Sequence, residues 1–179
     1  MQNITFQRIE EFAIDKQQKN DIHQLLKENF SGYPDDRIFY KQLPNFRFLA
    51  FHQNEIIGHM AVDYRVMNND GQLVSIFGVI DLCVKEAYQH QKIASQLLHE
   101  LTQLGKDNDI DFIVLNAVDS NLYQNNGFEV VSNECKWMVI HQQATLGVVK
   151  RSLQEGLMIK SLGSKEWRPK QLDFLGPIF

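Results

Sequence analysis

The segment over residues 80–115 constrains the fold of this chain more than any other part of the sequence. It starts with apolar residues that alternate as a strand, crosses a short polar loop and continues as a regular amphipathic pattern. Over residues 91–104 the apolar positions recur three and four apart, which predicts a helix, and Gly105 stands where a C-terminal cap belongs. The apolar run 112–115 follows at the distance typical of a strand–helix–strand unit. We therefore expect the strands before and after this helix to be parallel.

The other patterns up to residue 142 predict mainly antiparallel strands. Asn69, Asp70 and Gly71 tolerate positive φ and predict a tight hairpin turn. In chain order the predicted elements are a strand (4–9), a helix (16–30), a short helix (37–43), a three-stranded meander (46–51, 56–67, 73–84), a short helix (119–126) before Gly127, and a final hairpin (128–131, 136–141). The chain thus predicts an α/β fold.

Composition predicts one globular domain over residues 1–179, with a core at 1–142 and an extension at 143–179. The chain is 44% hydrophobic and 22% charged, within the range of a single packed domain. The extension is rich in Gly and Pro, so we expect irregular structure packed on the core. Cys83 and Cys135 lie in apparent strands without metal or redox spacing, which predicts two reduced core thiols.

Charge and the N-terminal sequence limit the expected partners and location. The formal charge is −4 and the pI is about 5.8, without the clusters of Lys and Arg that attract phosphate backbones or anionic lipid. Neither nucleic acid nor a membrane is therefore an expected partner. The N-terminus lacks the basic and apolar segments of a signal peptide, so we expect a cytoplasmic protein.

The loop between the strand and the long helix is a candidate anion site. A tight loop that opens a helix aims backbone N–H groups and the positive helix end at one point, which suits a pyrophosphate. The alternative is an ordinary connection between a strand and a helix.

The spacing of residues 82–98 favours the anion site. Tyr-Gln-x-x-x-Ile-Ala-x-x-Leu-Leu, beginning at Tyr88, resembles motif A of the GNAT N-acetyltransferases. Gln89 and Ala94 match the ends of that motif, whereas Lys92 stands where the family usually has its middle glycine. A side chain there restricts φ and crowds the phosphates, but a lysine also brings a positive charge to them.

A second motif downstream resembles the other half of the same fold. It consists of residues 114–116, ending in Asn116, and of Leu122-Tyr123 placed before Gly127-Phe128. The resemblance covers roughly residues 1–142. It implies a GNAT acyl-CoA N-acyltransferase fold, with a mixed, mostly antiparallel sheet of about six or seven strands flanked by helices.

The resemblance also implies which residues hold acetyl-CoA, the expected acyl donor. Backbone N–H groups of one strand would bind the thioester carbonyl, and the following loop would bind the diphosphate. The strand residues are Leu82, Cys83 and Val84, and the loop residues are Gln89, His90, Gln91, Lys92, Ile93, Ala94 and Ser95. Asn116 would face the pantetheine arm. Tyr123 would donate a proton to the departing thiolate; its alternative role is that of a core aromatic residue.

Two residues are candidates for the general base, because an amine attacks only when its nitrogen is neutral. Asp81 lies beside the expected carbonyl site; the alternative is a structural carboxylate. A histidine ordinarily titrates near neutral pH, which makes His59 the other candidate, but a lone strand histidine is also a common packing residue.

Two regions carry a softer resemblance to the NodA acyltransferases and the aminoglycoside 2′-N-acetyltransferases: residues 45–50 followed by Gly58-His59, and residues 157–177, which contain Trp167. We expect transfer of an acetyl group to a primary amine of a small molecule, without a metal, and a homodimer through the C-terminal strands. The alternative is a GNAT-fold module that binds CoA or a small ligand without turnover.

Overall fold

The structure is a computed structural model that describes residues 3–179. Over this range the chain forms ten strands, three α-helices and two short 3-10 helices. The strands are β1 (Ile4–Glu10), β2 (Phe46–His52), β3 (Glu55–Asn69), β4 (Gln72–Val84), β5 (Phe112–Asn116), β6 (Glu129–Val130), β7 (Asn133–His141), β8 (Ala144–Leu153), β9 (Leu157–Ser161) and β10 (Gln171–Pro177). The helices are α1 (Lys16–Asn29), α2 (Ile93–Asp107) and α3 (Asn121–Gln124), and the 3-10 helices are Glu11–Ala13 and Glu86–Tyr88.

The described chain divides into two compact units. The first contains residues 3–63 and Ile80–Glu100, and the second contains Tyr64–Val79 and Leu101–Phe179. Strands β3 and β4 and helix α2 each contribute residues to both units.

The first unit packs α1 on an antiparallel sheet. Strand β2 pairs with both β1 and β3 in antiparallel register. Asp15 and Gln18 form a capping box that starts α1 by satisfying its first amide groups. The core contains three buried residues of α1 together with strand residues: Ile22, Leu25, Leu26, Leu49, Ile56 and Cys83.

Gly58 allows the start of α2 to approach β3 closely. A Cβ at this position would lie 3.0 Å from Ile93 Cγ2 and 3.1 Å from Ala50 Cβ, closer than side chains normally pack. The glycine therefore fixes the N-terminal turn of α2 against the strand that carries His59.

The second unit has the strand order β6-β9-β5-β4-β3-β10-β7-β8. Strands β4 and β5 are parallel, as the strand–helix–strand pattern predicts. Asp70 and Gly71 have φ values of 52° and 82° in the turn between β3 and β4, so the predicted hairpin turn is also confirmed. The core is built from strand residues, among them Val74, Phe112, Ile159 and Phe174, each with no exposed surface.

The extension after residue 142 is not irregular, and the expectation above is wrong on this point. Strand β9 pairs with β5 and β6, while β10 pairs with β3 and β7. Leu157, Ile159, Leu172 and Phe174 of these strands are buried in the core of the second unit. The described chain therefore has more strands than the resemblance implied, because three of them follow residue 142.

Three further predictions differ from the structure. Strand β6 pairs with β9 rather than with β7, so the final hairpin is wrong; a partner distant in sequence replaces the neighbouring strand. Residues 37–43 form no helix, and Ile38 is instead buried against the first core. Gly105 lies inside α2, where a Cβ would come within 2.4 Å of Leu162 Cδ1; this glycine serves packing and not capping.

Candidate functional site

Strand β4 carries a backbone irregularity at Asp81. This residue has a φ of 50°, a left-handed conformation that is uncommon for a residue with a side chain. Residues held in sparsely populated backbone conformations cluster at active sites and ligand contacts. Asp81 directly precedes Leu82, Cys83 and Val84, the strand residues expected to hold a thioester.

Two hydrogen bonds hold Asp81. His59 Nδ1 donates to its backbone oxygen at 2.8 Å, and the Tyr33 hydroxyl donates to its Oδ2 at 2.7 Å. Burial raises the pKa of the Asp81 carboxyl above its ordinary value, and the Tyr33 hydrogen bond and the charge of Arg47 oppose that rise. Asp81 is thus a partly buried carboxyl whose proton is held more tightly than usual.

His59 is fully buried and both of its ring nitrogens are engaged. Nε2 lies 2.8 Å from Arg47 Nη1, and Nδ1 is bonded to the Asp81 carbonyl. Burial and the Arg47 charge lower the pKa of His59 to about 3, so the ring is neutral at physiological pH. This arrangement favours a structural role for His59 over that of general base.

The loop after β4 has the backbone form that a phosphate loop needs. His90 and Lys92 both have a φ of 62°, and residues 89–92 are exposed. The Gln89 side chain donates to the Val84 carbonyl at 3.2 Å, which ties the loop to the end of β4. Lys92 therefore adopts the left-handed conformation that the missing glycine would permit.

Helix α2 begins immediately after this loop. The Gln96 amide donates to the Lys92 carbonyl at 2.9 Å, so Ile93, Ala94 and Ser95 form the first turn. The amide groups of a first turn carry the positive end of the helix dipole. The loop and helix start thus form a cradle with positive potential.

Asn116 and Tyr123 belong to the second unit. Asn116 is exposed at the end of β5, where the Ala117 amide donates to the Gly156 carbonyl at 2.8 Å. Gly156 has a φ of 86°, and a Cβ there would lie 2.7 Å from Asn116 Oδ1. A larger residue at position 156 would therefore displace the Asn116 side chain.

Tyr123 is half-buried on α3 and packs edge-on against Phe128, with 5.8 Å between ring centroids. Burial and the nearby Asp119 raise the pKa of Tyr123 to about 12, so the hydroxyl keeps its proton at neutral pH. Lys160 donates to the Asn126 carbonyl at 2.8 Å and steadies the loop that follows α3. The ring is packed as a core aromatic is, and its hydroxyl retains a proton to donate.

Sequence reasoning missed three residues that act on Asp81. Tyr33 bonds its carboxylate, and Glu11 and Arg47 form an ion pair behind His59. For Arg47 a signal existed: a charged residue stands in the apolar strand 46–51. Glu11 and Tyr33 lie in segments whose contacts are distant in sequence, so no local pattern indicates them.

Comparison with known proteins relates part of this chain to a known family model. Residues 44–130 match the family model described as an acetyltransferase (GNAT) domain. The GNAT family N-acetyltransferase YhbS from Escherichia coli, solved in complex with CoA, is similar with a TM-score of 0.64 and 15% identity over 97% of this chain and 90% of that one. An IAA acetyltransferase from Bacillus cereus gives a TM-score of 0.56 and 16% identity over 89% of this chain and 100% of that one.

A GCN5-related N-acetyltransferase from Anabaena variabilis gives a TM-score of 0.61 and 18% identity over 72% of this chain, which spans only 33% of that longer protein. Residues 44–130 thus match a GNAT acetyltransferase domain, and the mixed, mostly antiparallel α/β sheet of the described chain is the GNAT fold. The resemblance to NodA and the aminoglycoside acetyltransferases stays a prediction.

No helix within residues 3–179 is long and apolar enough to cross a membrane.

Proposed function

We propose that this chain is an N-acetyltransferase that moves an acetyl group from acetyl-CoA to a primary amine of a small molecule. The observation that carries the proposal is the continuous strand–loop–helix segment, in which strand β4, with a positive φ at Asp81, leads into an exposed loop with positive φ values and the start of α2. The match of residues 44–130 to a GNAT acetyltransferase domain supports the same reaction class.

The residues of the loop fit the diphosphate of CoA. Lys92 already has a positive φ, so its side chain does not prevent the loop conformation, and it adds a charge of the correct sign. Gln89, His90 and Gln91 are exposed beside it, and Ile93, Ala94 and Ser95 supply the amides of the first helical turn. Acetyl-CoA would supply the thioester that is the source of the acetyl group.

The strand residues of the first unit would receive the acyl end. Leu82, Cys83 and Val84 follow the irregular residue of β4, and their backbone N–H groups are the expected donors to the thioester carbonyl. Preorganised backbone donors stabilise the charge that develops on such an oxygen. In the second unit, Asn116 would face the pantetheine arm.

Asp81 is the preferred candidate for accepting the proton of the amine. Its carboxyl is only partly buried, and its raised pKa brings it closer to the range in which a base works efficiently. His59 is fully buried and already bonded at both nitrogens. Tyr123, with its raised pKa, would return a proton to the departing thiolate.

Direct attack by the amine is favoured over a covalent acyl-enzyme. Cys83 and Cys135 are both buried. Burial raises the pKa of the Cys83 thiol strongly and that of Cys135 to about 11, so neither provides the thiolate that nucleophilic catalysis requires. The amine therefore attacks the acyl group itself.

A non-catalytic CoA-binding module is the second candidate. Lys92 at the glycine position of the motif favours it, because a side chain close to the phosphates changes the way the loop meets them. Calorimetric titration with acetyl-CoA, followed in the same preparation by measurement of thiol release with a panel of primary amines, separates the two. Binding with amine-dependent release supports the acetyltransferase, binding without release supports the module, and absence of binding at millimolar acetyl-CoA contradicts both.

A further inference from the structure

A buried hydrogen-bond relay connects the first 3-10 helix to the backbone of Asp81 in β4. Arg47 donates through Nε and Nη2 to the two oxygens of Glu11 at 2.6 and 3.1 Å, and through Nη2 to the Ile38 carbonyl at 2.8 Å. Its Nη1 lies 2.8 Å from His59 Nε2, and His59 Nδ1 lies 2.8 Å from the Asp81 carbonyl oxygen. Glu11, Arg47 and His59 thus act in series on one backbone atom.

The direction of each hydrogen bond in this relay is fixed by chemistry. A guanidinium has only donors, so His59 Nε2 must accept from Arg47. A neutral imidazole with an accepting Nε2 carries its proton on Nδ1, and this N–H then donates to the Asp81 carbonyl. The Arg47 charge and the burial that lower the pKa of His59 to about 3 keep this tautomer neutral over the working pH range.

Well-packed apolar residues of similar size would stabilise this part of the core at least as well as the relay does. Arg47 and His59 have no exposed surface, and Glu11 is 9% exposed. Burial of an ion pair rarely gives a net gain over well-packed hydrophobic residues of similar size. The hydrogen bonds of the relay therefore point to a requirement for one particular backbone geometry at Asp81.

The geometry of the peptide unit explains what is gained. The Asp81 carbonyl and the Leu82 N–H belong to the same planar peptide group, so fixing the oxygen also fixes the direction of the amide. Asp81 holds a φ of 50°, a conformation that persists only when surrounding contacts enforce it. A donor on its oxygen is such a contact.

We infer that Glu11, Arg47 and His59 are positioning residues, which aim the Leu82 N–H toward the acyl carbonyl by holding the Asp81 carbonyl from behind. This inference rests on the proposed function, because the acyl carbonyl is the group that the amide serves. None of the three residues touches the substrate; His59 acts through the peptide group, and Arg47 and Glu11 act through His59.

Two substitutions of His59 separate positioning from simple satisfaction of a buried charge. His59→Asn keeps an N–H donor at the same bond distance from Cβ as Nδ1 but does not reach Arg47. His59→Gln presents an amide oxygen to Arg47, near the place of Nε2, but leaves no donor for the Asp81 carbonyl. Both variants are compared with the unaltered chain in thermal stability, acetyl-CoA affinity, kcat and KM.

We expect His59→Asn to retain kcat within roughly threefold because it keeps a donor to the Asp81 carbonyl. His59→Gln should lose about 100-fold in kcat, the usual effect of misplacing a reacting group by about an ångström, while the KM for the amine changes little. Equal or higher kcat in a folded His59→Gln than in His59→Asn would overturn the inference, because Arg47 alone would then explain His59.

A measurement on the unaltered chain keeps the inference testable if a variant fails to fold. Nitrogen-15 NMR of the His59 ring should show the neutral Nδ1–H tautomer from pH 5 to 8, and the Leu82 amide should give one sharp resonance. A protonated ring or the Nε2–H tautomer would contradict the relay. These spectra need no turnover, so an absence of acetyl transfer would refute the proposed function and leave the relay to be judged by the NMR result.

Discussion

Asp81 combines an uncommon backbone conformation with a carboxyl of raised pKa. Its carbonyl is held by His59 from β3, and its carboxylate is held by Tyr33 from the segment after α1. Tyr33 is 3% exposed and packs edge-on against Tyr40, whose hydroxyl donates to the Gly32 carbonyl at 2.8 Å. The irregular segment between α1 and β2 therefore fixes one oxygen of the carboxylate.

We expect Asp81→Asn to lower kcat about 100-fold, a typical contribution of a general base, because an amide cannot accept the proton. The asparagine oxygen still accepts the Tyr33 hydrogen bond, so the fold is retained. In the unaltered chain, activity should rise with pH through the raised pKa of Asp81, since the carboxyl must first ionise. The variant should lack this limb of the pH–rate profile; an unchanged profile would show that Asp81 is structural.

The raised pKa of Asp81 also affects stability: the free energy of unfolding should fall with rising pH, whereas activity should increase. A carboxyl whose pKa is raised by folding ionises less readily in the folded chain than in the unfolded one. Its contribution to the free energy of unfolding is therefore present below the ordinary value of 3.8 and lost as the pH rises through the raised pKa. Asp173, whose pKa is lowered chiefly by its hydrogen bond to Lys136 against the effect of burial, provides a control. Asp173→Asn should remove stability that appears as the pH rises, and should leave activity unchanged.

Tyr123→Phe tests the proton donor. Tyr123 keeps its proton at neutral pH, and loss of the hydroxyl should lower kcat by about 100-fold with little change in acetyl-CoA affinity. The matched control is Tyr64→Phe, at a side chain that is 56% exposed in the second unit. Equal kcat values for the two variants would show that Tyr123 is only a packing residue.

At the scale of elements, the loop between β4 and α2 is shaped by backbone angles rather than by glycine. Lys92→Gly keeps the positive φ and removes the charge, so we expect acetyl-CoA to bind roughly two- to fivefold more weakly, as for an exposed charge at a helix end. The salt dependence of binding should fall with it. Acetyl-pantetheine, which lacks the diphosphate, is the control ligand and should bind both proteins equally. Tighter binding of acetyl-CoA to Lys92→Gly would show that the lysine obstructs the loop.

The elements that could be predicted from the sequence are those with local signals. Helices α1 and α2 have clear apolar periodicity, and the turn between β3 and β4 has residues that suit positive φ. The parallel pairing of β4 and β5 follows from the short connection through α2.

The elements that could not be predicted depend on contacts distant in sequence. Strand β9 has three buried residues in a row and pairs with β5 and β6, neither of which is its neighbour in the chain. The positive φ at Asp81, His90 and Lys92 could not be predicted from the sequence either, since these residue types rarely adopt it without external contacts. The candidate site was therefore predicted from its motif, whereas its backbone geometry required the structure.

At the scale of the whole molecule, the two units are joined through continuous secondary structure. Strands β3 and β4 and helix α2 each begin in one unit and end in the other. Unfolding of the second unit would therefore remove half of each of these elements, and the remaining halves would lose hydrogen bonds at their new ends. We expect a single cooperative transition, as for one domain.

Phe174→Ala tests this cooperativity. The side chain has no exposed surface and lies in the core of the second unit, so its truncation should lower the free energy of unfolding by about 3–5 kcal/mol. Leu175→Ala, at a neighbouring side chain that is 56% exposed, should change it by less than about 0.5 kcal/mol.

Both tryptophans, Trp137 and Trp167, lie in the second unit and report its unfolding by fluorescence, while hydrogen exchange of α1 reports the first unit. Because β3, β4 and α2 are shared, Phe174→Ala should shift both transitions by the same amount in denaturant; a shift of the fluorescence transition alone would mean that the chain contains two separately folding domains.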